Sequence, residues 1–591
     1  MNRTGSTTLI DEQPVLTETA RETALAQADA GVATALEKAE WQKVLFAPRP
    51  SRYQLGLLEP HWPLRTIHIQ VHRNQPFEFV AGLVPAFAAY ADLDVEFSYS
   101  AYDDALNFPA HGIADIEIVW LDFDRYAKNL TPDELLDWLF ERLGYLRERS
   151  PARLLVCNWA STQPAATSFN QQLNARLAGI ADASVCDQAS LLSRLGSDYF
   201  DDRNIALAGS ALSNAACMET ARMFGLTWLP AAVHPRLKAI VVDLDHTLYA
   251  GVAGEDGIDR LQLEPGHIEL QKQLSALQDS GILLAVCSRN HPRTVDRLFR
   301  QRRDFPLALE HFSTVVASWS SKVAGLRSIA DTLSIGMDTI LFIDDNPAEL
   351  AEVAAAFPEI HTLLAGTGPA ATHEVLSRYP RLHQWQAHRE DALRSADMTA
   401  NRERRRLRDE TPDRGSYLQA LGMELVFHLN PQQLRGRLHE LSVKTNQFNT
   451  AMLRLSEHDI AARFSDPDCF TIAVELRDRL SESGVIAALF AHTENATLVV
   501  DEICISCRAL GREIEPVILV ESLQKMMQLA AADTATIKLT RGPKNAPALA
   551  CLETVFQPAG QTGLDETEYT CSTDRLLNIP TRDCVHVRWE N

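Results

Sequence analysis

Ile240-Val-Val-Asp-Leu-Asp-His-Thr-Leu-Tyr249 decides how this chain is read. Its leading apolar residues predict a buried parallel strand. Its polar residues gather at the carboxyl end, where open α/β sheets bind ligands. Asp243 and Asp245 stand two apart near the strand's exit, and Thr247 follows. Carboxylates this close do not both stay ionised without a cation. Mg²⁺ suits all-oxygen ligands and commonly shares itself with a substrate phosphate. Alone, the stretch reads better as a strand ending in an Asp-rich turn. The residues that follow it change that reading.

Ile282-Leu-Leu-Ala-Val-Cys287 predicts a second buried strand, which delivers Ser288, Arg289 and Asn290 at its tip. Lys322 opens a helix after Trp319-Ser-Ser. Thr339-Ile-Leu-Phe-Ile343 predicts another strand, ending in Asp344-Asp345-Asn346-Pro347. Strand ends and helix starts therefore converge on one polar face. They bring a carboxylate nucleophile, a hydroxyl donor, a fixed cation and metal ligands, the set that a phosphate needs. Either Asp344 or Asp345 can instead cap the helix that Pro347 opens, and one of each role is expected.

At 591 residues the chain exceeds a single core and predicts several domains. No apolar run approaches the roughly 20 residues of a membrane helix. The first residues lack a signal peptide's apolar stretch. Ten scattered cysteines fit a reducing cytoplasm, and Cys504-x-x-Cys507 without a second pair argues against zinc. A formal net charge of -22 argues against nucleic-acid binding. It also requires any anionic substrate to meet a local cation.

Residues 1–60 are a polar extension, with a helix expected from Leu16 to Trp41. From Thr66 to Asn158, alternating or apolar strands separated by helical stretches predict a parallel α/β layer. Its last helix is expected from Ser213 to Phe224, ending at Gly225. This region is similar to an SGNH-hydrolase-like fold without its catalytic signals. His72-Arg-Asn-Gln stands where a Gly-Asp-Ser turn would follow the first strand, and His72 reads as a loop histidine. A docking or substrate-covering module is expected.

Arg402-Glu-Arg-Arg-Arg-Leu-Arg408 is the strongest basic run in an acidic chain. It reads as a solvated helix face, with docking of an acidic protein at Arg404 and Arg405 as the second reading. Thr411-Pro-Asp-Arg-Gly415 reads as a linker. Beyond it come strands and a helix from Pro516 to Ala532, similar to the GNAT acyltransferase fold. Arg508-x-x-Gly511-Arg512 partly matches that fold's acyl-CoA loop, whose backbone amides bind a pyrophosphate or pantetheine arm. Lys444, Asn446, Gln447 and Asn449 line a thioester site or simply satisfy their own turns.

The set around Asp243 resembles the haloacid-dehalogenase (HAD) phosphatase superfamily. That resemblance implies Asp243 as nucleophile, Asp245 as acid and base, Ser288 and Lys322 on the phosphoryl oxygens, and Mg²⁺ held by Asp243, the Asp245 carbonyl, Asp344 and Asp345. Asp-Leu-Asp-His-Thr-Leu-Tyr-Ala-Gly-Val-Ala-Gly-Glu-Asp-Gly, Cys-Ser-Arg-Asn, Phe-Ile-Asp-Asp-Asn-Pro-Ala-Glu-Leu and Glu440-Leu-Ser-Val-Lys-Thr-Asn-Gln-Phe-Asn449 together resemble the FkbH-like family, over about residues 60 to 591. The resemblance implies glyceryl transfer from 1,3-bisphosphoglycerate to the phosphopantetheine arm of an acyl carrier protein, with loss of phosphate, in polyketide biosynthesis. Cys287 is the thiol expected to carry the acyl group, although the residues by themselves favour a packing role. His246, Tyr249, Ala250 and Arg289 depart from the family's usual Asn, Trp, Gly and Lys, so a different acyl phosphate is a second expectation. A plain HAD phosphatase acting on a free metabolite is a third.

The expected architecture is α/β and multidomain: residues 1–60 an extension, 61–235 SGNH-like, 236–375 HAD-like, 376–415 a helical linker and 416–591 GNAT-like. Thr247, Arg289 and Asn290 join the expected substrate contacts. The expected partners are a small phosphorylated substrate and the carrier, with neither nucleic acid nor membrane.

Overall fold

A computed structural model describes residues 18–102, 106–108, 112–333, 335–366, 368–385, 400, 403–404, 406–408, 410–445, 448–506, 509, 512–542, 545–561, 566–579 and 584–590. The described residues form a mixed α/β protein built on three sheets.

The first sheet contains β1 (Arg65–Arg73), β2 (Leu93–Tyr99), β3 (Ile116–Trp120), β4 (Arg153–Cys157) and β5 (Ala183–Cys186) in the order β2-β1-β3-β4-β5. Every pairing in it is parallel. The second contains β6 (Ala239–Val242), β7 (Leu283–Ser288), β8 (Phe312–Ala317), β9 (Ile340–Asp344) and β10 (His361–Leu364) in the order β10-β9-β6-β7-β8, again all parallel. The third contains β11 (Met423–Leu429), β12 (Cys469–Arg477), β13 (Glu482–Glu494), β14 (Thr497–Ile505), β15 (Thr534–Thr540), β16 (Gln557–Gln561), β17 (Glu566–Ser572) and β18 (Val585–Glu590). Its order is β16-β17-β15-β14-β13-β12-β11-β18, and only the β14–β15 and β11–β18 pairings are parallel.

The apolar runs of β6, β7 and β9 are buried on both faces, as helices on both sides of a parallel sheet require. In this sheet β6 lies between β9 and β7. The chain reverses its direction of winding there, and the crevice at the carboxyl ends becomes the natural ligand position.

Several expectations change. The helix Asn214–Met223 does not stop at Gly225 but runs on through a π-helical turn, Phe224–Trp228, into Leu229–Val233. A Cβ on Gly225 would lie 2.4 Å from the Cβ of Phe87, so this glycine serves close helix packing instead of a helix end. His72 is no loop residue: it lies in β1, fully buried, with Nε2 2.8 Å from Oε2 of Glu117 on β3. Arg404 does not lie on a solvated face. It is 4% exposed, and its guanidinium pairs with Asp478 at 2.8 Å. Arg405 lies outside the described residues. Among the described residues no helix is long and apolar enough to cross a membrane.

Candidate active site

Three parallel strands deliver the central residues. β6 ends at Val242, and Asp243 extends the ladder by donating its N–H to the Ile343 carbonyl of β9. β9 itself carries Asp344 at its tip. β7 carries Ser288, and the helix Lys322–Leu333 begins beside it with Lys322.

Lys322 is 4% exposed, and its Nζ donates to Oδ1 of Asp243 and to the Cys287 carbonyl, with Oδ2 of Asp344 3.0 Å away. Burial pulls this ammonium down, but Asp243 and Asp344 outweigh burial and raise it. It is a fixed cation. Carboxylate oxygens of Asp243, Asp344 and Asp345 all lie within 4.8 Å of one another. Burial, with the Asp344 charge in support, pushes Asp243 up to about 7 against the pull of Lys322. Burial and then Asp344 raise Asp345 as well. One ammonium facing three carboxylates leaves an acidic excess, and a divalent cation with oxygen ligands would cancel it. Thr247 adds an unmet demand: it is 2% exposed and its Oγ1 has no hydrogen-bond partner among the described residues. The residues present fit a hard divalent cation and a bound oxyanion.

Asp245 is held in one orientation. Its Oδ1 accepts from the Tyr249 hydroxyl at 2.7 Å and the Ala253 N–H at 2.9 Å, and its Oδ2 accepts from Asn290 Nδ2 at 2.7 Å. Asn290 Nδ2 also reaches Ser288 Oγ at 3.0 Å. Tyr249 is a contributor the sequence reading left out. In the sequence it stands out only as a departure in residue type, because its spacing from Asp245 says nothing about hydroxyl direction. His246 between them has φ 56°, a left-handed conformation that Asn and His tolerate better than most residues. Neither Asp344 nor Asp345 caps the next helix. Asn346 does, by accepting from the Ala348 N–H at 3.0 Å, while Asp344 Oδ1 accepts from the Asn346 N–H.

Cys287 does not join this site. Strand alternation turns its side chain away from that of Ser288, into the apolar layer with Ala285, Leu326 and Phe342. It is 3% exposed, and burial pushes its thiol up to about 12 despite Lys322. That is the wrong state for a nucleophile, which must be a thiolate. Arg289 also turns away, pairing with Glu349 at 2.8 Å.

The expected C-terminal contacts are spent internally or undescribed. Asn449 is fully buried, with Oδ1 accepting from the Met452 N–H and Nδ2 directed at Cys504 Sγ. Arg512 is 5% exposed and bound to Asp478 and Ser483. Lys444 ends the helix Arg435–Lys444. Asn446, Gln447, Arg508 and Gly511 lie outside the described residues.

No protein-family model and no curated protein matches the chain. Among solved structures, the chain is similar to the N-terminal part of the protein BF1531 from Bacteroides fragilis, containing a phosphatase domain complexed with Mg. That match has 20% identity and a TM-score of 0.44 and covers 60% of this chain and 99% of that one. It is also similar to spermidine N-acetyltransferase from Vibrio cholerae in complex with CoA and spermine, at 12% identity and a TM-score of 0.21, covering 26% of this chain and 98% of that one. Likenesses this low assign neither family nor activity, and the chemistry rests on the carboxylates, the ammonium and the donors at the carboxyl ends of β6, β7 and β9.

Proposed function

We propose that the chain is a HAD-type, Mg²⁺-dependent phosphoryl-transfer enzyme whose nucleophile is Asp243, flanked by an SGNH-like and a GNAT-like domain. The observation that carries this is the buried contact of Asp243 with Lys322, with Asp344 and Asp345 alongside and Asp245 fixed by Tyr249, Ala253 and Asn290. In the first step an Asp243 oxygen bonds to phosphorus as the ester P–O bond breaks, and the Asp245 carboxyl gives its proton to the leaving oxygen. In the second, water attacks phosphorus while Asp245 takes the water's proton, releasing inorganic phosphate and freeing Asp243. Lys322 and Ser288 bind the phosphoryl oxygens. Mg²⁺, when held by Asp243, Asp344 and Asp345, supplies charge neutralisation for the phosphoryl group.

The finer reading comes from the FkbH-like resemblance: glyceryl transfer from 1,3-bisphosphoglycerate to an acyl carrier protein, with loss of the 3-phosphate. The buried state of Cys287 favours a version in which the carrier's own pantetheine thiol attacks the acyl-phosphate carbonyl and phosphate departs. In that version no enzyme thioester forms.

The test is intact-protein mass spectrometry with 1,3-bisphosphoglycerate, Mg²⁺ and a carrier added last, alongside a phosphate-release assay. A glyceryl group on the carrier, with Cys287→Ala still active and Asp243→Asn blocked in phosphate release, is the expected pattern. Phosphate release without any acylated carrier would leave a plain phosphatase. Retained phosphate release in Asp243→Asn would remove the Asp243 mechanism.

A further inference from the structure

The helix Pro292–Gln301 starts at the Asp243 site, directly after Ser288 and Asn290. His291 caps it, its side chain accepting the Arg293 N–H at 3.2 Å. Val295, Leu298 and Phe299 bury one face of the helix. With about 3.6 residues per turn, Arg293, Arg297 and Arg300 fall together on the opposite face and span about 10 Å along the axis. All three are exposed. Arg302 and Arg303 follow, so Pro292 to Arg303 holds five arginines against one acid, Asp296.

Stability does not account for this stripe. A helix dipole favours an acid in the first turn, and Arg293 stands there with no acid beside it. Arginines three and four apart on one face repel each other by about 0.2–0.5 kcal/mol per pair. Arg300 pairs with Asp296 at 3.0 Å but stays 74% exposed. Among the described residues Arg293 and Arg297 form no ion pair, and their guanidinium groups make no hydrogen bond. A chain of net charge -22 therefore keeps an uncompensated positive face beside its acidic site. A second observation lies at the same end of the sheet. The Ser318 N–H donates to the Ser288 carbonyl at 3.1 Å, which sets Trp319 between the tip of β7 and Lys322. Trp319 is 75% exposed. Tryptophan and arginine are among the residue types that dominate binding between proteins.

We propose that this arginine stripe, with Trp319 as its apolar anchor, is the docking surface on which an acidic partner protein brings its reacting group to the Asp243 site. The inference rests on glyceryl transfer to a carrier and adds where that carrier sits. An exposed helix face is convex, so it cannot enclose a small phosphate. An acidic helix can lie along it and meet the guanidinium forks in turn. Nucleic acid, a long polyanion, would run off the stripe onto a strongly negative chain. Arg404, the basic residue that the sequence offers first for docking, is buried and spent on Asp478.

The test uses the full chain, a holo acyl carrier protein of net negative charge, 1,3-bisphosphoglycerate and Mg²⁺. Arg293→Glu combined with Arg297→Glu keeps the helix, because a glutamate in the first turn suits the dipole. This double variant should raise KM for the carrier at least about 10-fold and leave hydrolysis of a small phosphomonoester within about twofold. Trp319→Ala should raise the same KM about 10-fold. Raising the salt from about 50 mM to about 500 mM should weaken carrier use by the native chain and leave that of the double variant flat. A carrier KM unchanged in either variant overturns the docking surface alone. An equal loss of phosphomonoester hydrolysis overturns it too, because the arginines would then serve the Asp243 site directly. A native chain that hydrolyses the phosphomonoester but leaves the carrier unacylated removes the carrier reading, and this surface falls with it. A short single-stranded RNA that binds the native chain more tightly than the carrier does overturns the proposal as well.

Discussion

At the scale of single residues, Tyr249 shows how much one hydroxyl decides. Its ring is fully buried and stacks on Phe305 at 5.7 Å, so the side chain has no freedom to leave. Burial, and then the Asp245 charge, raise its phenol far above the usual range, so it stays a donor throughout the working pH range. Tyr249→Phe keeps the packing and deletes only the bond to Asp245. Loss of one orienting bond to a charged group amounts to about 1.5 kcal/mol, roughly a 10-fold fall in kcat. KM should stay within about twofold, because the Tyr249 hydroxyl is spent on Asp245. Steady-state phosphate release with a small phosphomonoester reads both quantities. An unchanged kcat would mean that Ala253 and Asn290 suffice to hold Asp245.

At the scale of elements, Gly325 and Cys287 set how closely the helix Lys322–Leu333 approaches β7. A Cβ on Gly325 would lie 2.6 Å from Cys287 Sγ, inside any real contact. Gly325→Ala gains about 1 kcal/mol of helix propensity but overpacks the layer by about 1–3 kcal/mol and pushes Lys322 away from Asp243. The expected result is a lowered denaturation midpoint together with reduced turnover. Adding Cys287→Ala should restore both, since the sulfur is the obstacle. If Cys287→Ala alone abolished carrier loading while the fold stayed intact, the thiol would regain a chemical role. Arg404 makes a second case. Its pair with Asp478, whose side chain is fully buried, ties the helical backbone ahead of Arg414–Leu421 to the β12–β13 turn. Arg404→Ala leaves the buried Asp478 carboxylate with Arg512 as its remaining cation and removes one charged hydrogen bond, which should cost about 1.5–3 kcal/mol, read as a shifted urea midpoint, instead of changing an affinity for acidic partners. These two elements mark what was legible in the sequence. Apolar runs ending in Asp243, Ser288 and Asp344 identified strands and their polar tips, because burial on both faces leaves a local signature. The direction of Cys287 followed from alternation within β7, yet family likeness argued the other way. The partners of His72, Arg404 and Tyr249 depend on strand register and on tertiary approach, which no local pattern encodes.

At the scale of the whole molecule, a cleft of about 300 Å³ lies between β4 and β5 of the first sheet and the helix Arg435–Lys444, and it is lined by His234, Arg236, Arg381, His383 and His439. Burial first, and then Arg381, pull His234 down to about 4. Burial and Arg236 do the same to His383, also to about 4. His361, beside Arg381, is lowered too, by burial before charge. Each ring is neutral in the folded chain, whereas an unfolded histidine titrates near 6.5. Between those values the unfolded state binds more protons, so stability rises with pH across the interval. The contribution is complete above about 6.5 and is lost as pH falls towards 4. It amounts to a ceiling on the order of 3 kcal/mol for each of His234 and His383. Acid also relieves the self-repulsion of a chain with net charge -22, which acts in the opposite direction. Most carboxylates protonate below about pH 4.5, but Asp243, held up to about 7, takes its proton within the window from pH 7 to pH 5 and acts in the opposite direction, so the histidine variants carry the test. A urea midpoint that falls between pH 7 and pH 5, and falls less in His234→Leu and His383→Leu, is the expected outcome. A pH response left unchanged by His234→Leu and His383→Leu would show that the cleft admits enough water to let both rings ionise at no cost to the fold.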